Sequence, residues 1–318
     1  MPETWIEAGI GETRVVTVEA GQIVDARILI EGVVAAGTVI PARLASIGQG
    51  GRNAIARTVD ATEYLLPVRP AGISEGARIH IELRREAIPG IEPWKRPLAR
   101  LAEAGAVAAP FEGTALPFPP HPIDALEAAG WSDLLDEARS GEVAFGGGAL
   151  RLSVTPAMTL IDVDGTLGID ALAVAGAAAA GRAIRRLGIG GSIGIDLPTV
   201  RGKETRAAAT TALDAAMGDA QFERTAVNGF GFLQLVRPRR HASLLELAAD
   251  RSAFEARALL RLAAVNGHGP CRLAVHPAVA EAIEGKDWLT RLATQRGGAV
   301  GLRADPALAM AAGHVESA

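Results

Sequence analysis

Three aspartates close two short apolar runs, Leu160-Ile161-Asp162-Val163-Asp164-Gly165 and Ser192-Ile193-Gly194-Ile195-Asp196-Leu197. Carboxylates gathered in one place repel one another, and a hard divalent cation such as Mg²⁺ is the usual remedy. To gather them, the two runs must be neighbouring parallel strands. The stretch between them is Ala-rich and of helical character, as a strand–helix–strand unit requires. Asp162, Asp164 and Asp196 are therefore expected at one carboxyl edge of a sheet, the edge at which open α/β sheets bind ligands. The chemistry this implies is metal-dependent action on a phosphate ester, with Mg²⁺ or Mn²⁺ as cofactor and the three aspartates as ligands and catalytic residues.

The rest of the chain must position that edge. The 318 residues, 49% hydrophobic and of formal net charge -4, suit a water-soluble chain of two or three modest domains. Aromatics are only 4%, so the core is built from small side chains. The single cysteine, Cys271, excludes an intramolecular disulfide and a four-cysteine zinc site within one chain, and is expected to be a structural thiol. No apolar run reaches the roughly 20 residues of a membrane span. The start, Met1-Pro2-Glu3-Thr4-Trp5, lacks a basic-plus-apolar signal layout, so a cytoplasmic protein without membrane partners is expected.

The predicted fold class is α/β, α+β overall. Residues 1–30 and 31–96 read as short strands with Gly-rich turns such as Gly48-Gln49-Gly50-Gly51, the second block suiting a small barrel of the oligonucleotide-binding type. Residues 97–122 read as a Pro-rich linker opened by a helix over Leu98 to Ala104. Residues 123–150 read as a helix followed by a hairpin turning at Gly146-Gly147-Gly148. From 151 to 245 strands and helices alternate, and 246–318 forms a small α/β appendix.

Two resemblances compete for the acidic runs. Asp162-Val163-Asp164-Gly165-Thr166-Leu167 is similar to the signature of haloacid dehalogenase-like phosphatases, in which the first Asp is the nucleophile and the second a general acid/base. The later Ser/Thr and acidic-pair strand ends of that family are missing. The longer context resembles the ribonuclease E/G family of endoribonucleases. It runs from the hairpin Glu142–Leu150 through Thr155-Pro156-Ala157-Met158-Thr159-Leu160-Ile161-Asp162-Val163-Asp164 and Gly190-Gly191-Ser192-Ile193-Gly194-Ile195-Asp196. It continues in Val227-Asn228-Gly229-Phe230-Gly231-Phe232-Leu233-Gln234-Leu235-Val236-Arg237-Pro238-Arg239 and His241-Ala242-Ser243-Leu244. The match is best over about 140–245 and weaker toward both ends.

This second resemblance implies ribonuclease-H-like strands over 1–30 plus 123–150, an inserted S1 barrel at 31–96, and a DNase-I-like catalytic part at 151–245. It implies cleavage of single-stranded RNA by metal-activated water, leaving 3′-hydroxyl and 5′-phosphate ends. Tyr64, in Glu63-Tyr64-Leu65-Leu66-Pro67, is then a candidate base-stacking side chain, with a barrel-core residue as the alternative reading. Between Arg182 and Arg240 ten cations face five anions. Within that stretch Arg201, Lys203 and Arg206, and Arg237, Arg239 and Arg240, are candidate phosphate contacts.

The departures are informative. Asp164 stands where the family has Asn, which adds charge for a cation but lessens the metal's power to polarise. The 5′-monophosphate sensor has no counterpart in the linker, so cleavage is expected not to depend on the 5′ end. The zinc-link is absent, which leaves a monomer or a homodimer not bridged by zinc. An RNA-binding protein that keeps the scaffold without efficient chemistry is the alternative from another class.

Overall fold

The computed structural model describes residues 1–88, 95–103 and 111–317. In chain order, β1 (Glu3–Ala8), β2 (Glu12–Glu19) and β3 (Gln22–Ile30) come first. β4 (Val39–Ile47), β5 (Ala54–Arg57), β6 (Glu63–Leu66), β7 (Arg78–Arg85) and β8 (Leu98–Ala102) follow. Next are β9 (Thr114–Leu116), α1 (Ala125–Ala128), α2 (Trp131–Ser140), β10 (Glu142–Phe145), β11 (Gly148–Val154) and β12 (Thr159–Gly165). Then come α3 (Ile169–Arg186), β13 (Gly191–Asp196), α4 (Lys203–Met217), β14 (Glu223–Arg224) and β15 (Phe232–Arg237). The chain closes with α5 (Leu244–Ala249), α6 (Arg251–Val265), β16 (Cys271–Val275), α7 (Pro277–Ile283), α8 (Trp288–Arg296), β17 (Val300–Ala304) and β18 (His314–Ser317). These elements form a mixed α/β architecture of two compact units. Among the described residues no helix is long and apolar enough to cross a membrane.

The unit made of 32–112 and 140–246 holds a barrel and a sheet. The barrel closes in the order β4-β5-β6-β8-β7 around Leu44, Leu66, Ile81 and Leu83. Its last strand corrects the sequence reading. Leu98-Ala99-Arg100-Leu101-Ala102 is rich in helix formers, yet it pairs antiparallel with β7 and meets β6 at Leu65, with Ala99 buried. Barrel closure removes two open strand edges, and that gain overrides a weak helical preference. The expected barrel over 31–96 thus extends to 102; its residues 89–94, and 104–110 of the expected linker, lie outside the described residues.

The six-stranded sheet runs β10-β11-β12-β13-β15-β14, and β12–β13 is its one parallel pair. The hairpin β10–β11, grouped by sequence with the N-terminal strands, belongs to this sheet instead. Its Val143, Leu150 and Leu152 are buried, as are Ile161, Val163, Ile193, Ile195, Leu233 and Leu235 on the following strands. Those alternate positions form one apolar face. Helix α3 packs on it, and Gly176 lets the helix approach closely, since a Cβ there would lie 2.4 Å from Val163. The intervening positions of each strand form the opposite face, which carries the aspartates.

The unit made of 1–31, 113–139 and 247–318 contains the sheets β3-β2-β1-β9 and β17-β16-β18. Two separate domains were expected here, but the N-terminal strands and the C-terminal α/β part make one. The cause lies in β2, whose inward positions include Glu12 and Arg14 beside Val16 and Val18. Buried charges need partners. Arg14 meets Glu7 at 2.5 Å and Glu12 at 2.7 Å, and α6 supplies Arg257 to Glu12 at 3.1 Å and Arg261 to Glu7 at 3.0 Å. Arg261 also meets Asp124 at 2.7 Å. Burial raises the Asp124 carboxyl, but hydrogen bonds from Arg261 and the Glu127 amide together hold it below its ordinary value. Cys271 is a buried free thiol in the apolar core of this unit, together with Ile10, Leu260 and Leu273.

Candidate active site at the edge of the six-stranded sheet

Strand β12 alternates buried and exposed residues, so Ile161 and Val163 point to α3 while Leu160, Asp162 and Asp164 point the other way. In strand β13 Ile193 and Ile195 lie on the same buried face, Gly194 is buried on the other face, and Asp196 is exposed. The parallel register sets Asp162 directly beside Asp196. Partners in register lie about 4.8 Å apart between strands and share a face. The two runs are thus parallel neighbours ending in a pair of exposed carboxylates, as their spacing required.

Asp164 lies one pleat further along β12 and has its own partner. Arg151 on β11 stands opposite Asp162 in the register. Its guanidinium forms a close ion pair with Asp164 and lies 3.9 Å from Asp162 and 3.6 Å from Glu142. Among the described residues, no three His, Cys, Asp or Glu side chains converge as a ready metal cage. The donor set that fits a hard cation is therefore the pair Asp162 and Asp196, with most coordination positions left to water, the habit of Mg²⁺. Asp164 is engaged elsewhere.

Between the two aspartate strands the face is apolar. Gly194 lies under Phe232 and Leu160, and a Cβ there would sit 2.6 Å from the Phe232 ring and 3.0 Å from Leu160. Beyond Asp196 the chain is tied to the turn before β15: the Leu197 amide donates to the Gly231 carbonyl, and the Thr199 hydroxyl to the Phe230 carbonyl at 2.9 Å.

The candidate phosphate contacts divide. Arg201 and Lys203 are exposed on the segment after β13, at the same edge as the aspartates. Arg206 turns back and donates to the carbonyls of Val200 at 2.9 Å and Arg201 at 3.1 Å, holding that segment in shape. Arg237 ends β15, and Arg239 and Arg240 follow it; the strand runs antiparallel to β13 and pairs Arg237 with Gly191. They therefore stand at the opposite end of the sheet from Asp196. There Arg237 donates to the Ile189 carbonyl at 3.1 Å and Arg239 pairs closely with Glu246, while Arg240 is exposed. The two basic groups do not form one patch with the acidic edge.

Tyr64 is a correction. Its ring is 3% exposed in the barrel core, leaving no face for a base to stack on. Burial, with the nearby Asp60 charge, pushes its hydroxyl pKa up. The signal was present in Glu63-Tyr64-Leu65-Leu66, where Tyr64 shares its strand face with the buried Leu66. Two residues were missed, Arg151 and Phe230. Arg151 alternates with Leu150 and Leu152 and so was legible as outward-facing, but its position opposite Asp162 depends on a strand pairing that the sequence does not display.

Strand β12 is flanked by antiparallel β11 on one side and by its parallel neighbour β13 on the other. Neither a comparison with models of known protein families nor one with curated proteins finds a match for this chain.

Proposed function

We propose that the chain is a divalent-metal-dependent endoribonuclease of the ribonuclease E/G type, acting on single-stranded RNA independently of its 5′ end. The observation that carries this reading is the in-register pair Asp162 and Asp196, exposed on one face at the carboxyl edge of the sheet's one parallel strand pair. Asp162 and Asp196 would hold Mg²⁺ or Mn²⁺, which when bound would supply charge stabilisation at the phosphate and a water of lowered pKa. Arg201 and Lys203 fix the sugar–phosphate chain over the edge without reading sequence. Asp164, paired with Arg151, sets the local charge. Products are a 3′-hydroxyl and a 5′-phosphate.

The test is a time course on labelled single-stranded RNA with Mg²⁺, comparing wild type with Asp162→Ala. Loss of cleavage with retained RNA binding is expected; cleavage at the wild-type rate sinks the assignment. One observation favours a second reading, an RNA-binding protein with little chemistry. Arg151 places a cation among the carboxylates that a metal would use. Binding by the wild type with no cleavage under any divalent metal supports that alternative.

A further inference from the structure

Phe230 is 82% exposed, and no other aromatic side chain among the described residues is exposed. A phenyl ring left in water forgoes the burial that aromatic side chains ordinarily gain. A floppy loop would explain it cheaply, but this loop is tightly built. The Asn228 side chain accepts from the amides of Phe230 at 2.8 Å and Phe232 at 3.1 Å. The Asn228 amide donates to the Phe232 carbonyl, and the Gly231 amide to the Asn228 carbonyl. Gly231 has φ +90, and a Cβ there would meet the Leu197 carbonyl at 2.2 Å, so only glycine lets the turn dock on the segment after Asp196. The ring is therefore held out on a preorganised turn, two residues from Phe232, the register partner of Asp196.

Its surroundings match one kind of ligand. Arg201 and Lys203 stand on the segment that Thr199 ties to Phe230. Leu167, on the loop that follows β12, and Ile169, the first residue of α3, are 38% and 55% exposed at the same edge. A flat apolar face beside cations is what a single strand of nucleic acid needs, a stacking surface for a base and partners for its phosphates. We propose that Phe230 is the stacking platform for a nucleobase of single-stranded RNA laid across the Asp162–Asp196 edge, the role that the buried Tyr64 cannot fill. This inference rests on the reading of that edge as an RNA site and adds its base-binding position.

The test uses fluorescence anisotropy with a labelled single-stranded RNA of about twelve nucleotides, within the usual site sizes, in Ca²⁺ to hold cleavage back. A matched set carries one abasic position at a time. Phe230→Ala is expected to weaken binding roughly 5- to 150-fold, the range for one lost base stack. Phe230→Leu, apolar without a π face, is expected to bind nearly as poorly, and Phe230→Trp at least as well as wild type. One abasic position should weaken wild type but leave Phe230→Ala unaffected, because each change removes the same contact.

Wild-type affinity in Phe230→Leu, or abasic penalties identical in wild type and Phe230→Ala, overturns the proposal. So does a shift in oligomeric state of Phe230→Ala by light scattering, which would assign the ring to an interface between copies. Because anisotropy does not need turnover, the two readings separate. An uncleaved RNA whose binding depends on Phe230 removes the nuclease reading alone, and a cleaved RNA indifferent to Phe230 removes the stacking platform alone. A wild type that binds no RNA removes both.

Discussion

Arg151→Gln should tighten divalent metal binding at the acidic edge. The substitution keeps most of the side chain's length but removes the charge that pairs with Asp164 and lies 3.9 Å from Asp162. Arg151, Asp162 and Asp164 have side chains 55%, 55% and 58% exposed, so the dielectric that governs them is close to that of water. A unit charge pair at about 4 Å is then worth about 1 kcal/mol, and a divalent ion doubles that. Screening at physiological salt, with a Debye length of about 8 Å, reduces the figure by about half. About 1 kcal/mol remains, or roughly fivefold in affinity. Asp164→Asn should weaken binding by a similar factor, since it removes a carboxylate and leaves Arg151 facing Asp162. The double substitution removes one charge of each sign, so it should return to within about twofold of wild type by the same bookkeeping.

Mn²⁺ titration of the full chain by electron paramagnetic resonance reads all three. Arg182→Gln, an equal charge change at an exposed position of α3, the helix packed on the other face, serves as control. Exposed ion pairs contribute about 0–1 kcal/mol to stability, so the thermal transition should hardly move and loss of fold is not an explanation. An Arg151→Gln variant that binds Mn²⁺ no more tightly than wild type refutes the reasoning. So does a double variant as weak as Asp164→Asn alone.

Glu7→Gln should destabilise by about 3–5 kcal/mol in denaturant unfolding, because it leaves the buried Arg14 and Arg261 short of a counter-charge; a loss under about 1 kcal/mol would mean the network reorganises freely. Arg201→Ala and Lys203→Ala should each weaken RNA binding across sequences and lower the salt slope by about 0.7 per cation. Arg237→Ala, at the other end of the sheet, should leave that slope unchanged if the strand lies only at the acidic edge.

The acidic edge was legible because two signals agreed. Each apolar run stops at carboxylate, at Asp162 and Asp164 in the first and Asp196 in the second, and the Ala-rich helix between the runs required a parallel pairing. What failed was pairing at longer range. Leu98–Ala102 has the composition of a helix, and only the need to close a barrel turns it into a strand with Ala99 inside. The β10–β11 hairpin was correctly seen as a hairpin but assigned to the wrong sheet, since Val143 and Leu150 fit any apolar layer. Arg151 escaped notice for the same reason, its meaning lying in a neighbour strand. In β2, Thr13 to Val18 announced the strand plainly, but nothing local said that Glu12 and Arg14 face inward or that arginines on α6 answer them.

That last arrangement governs the order in which the chain can become whole. Glu7 and Arg261 are partners separated by 254 residues. A ribosome adding about 5–20 residues per second needs roughly 13–50 s to span that interval. During that time β1 and β2 are exposed with inward charges that have no counterpart from α6. Residues 140–246, together with the barrel, emerge inside this interval and can close first. The N-terminal strands, though made earliest, are among the last to be secured, and a chain interrupted before α6 would leave Glu7 and Glu12 without Arg261 and Arg257.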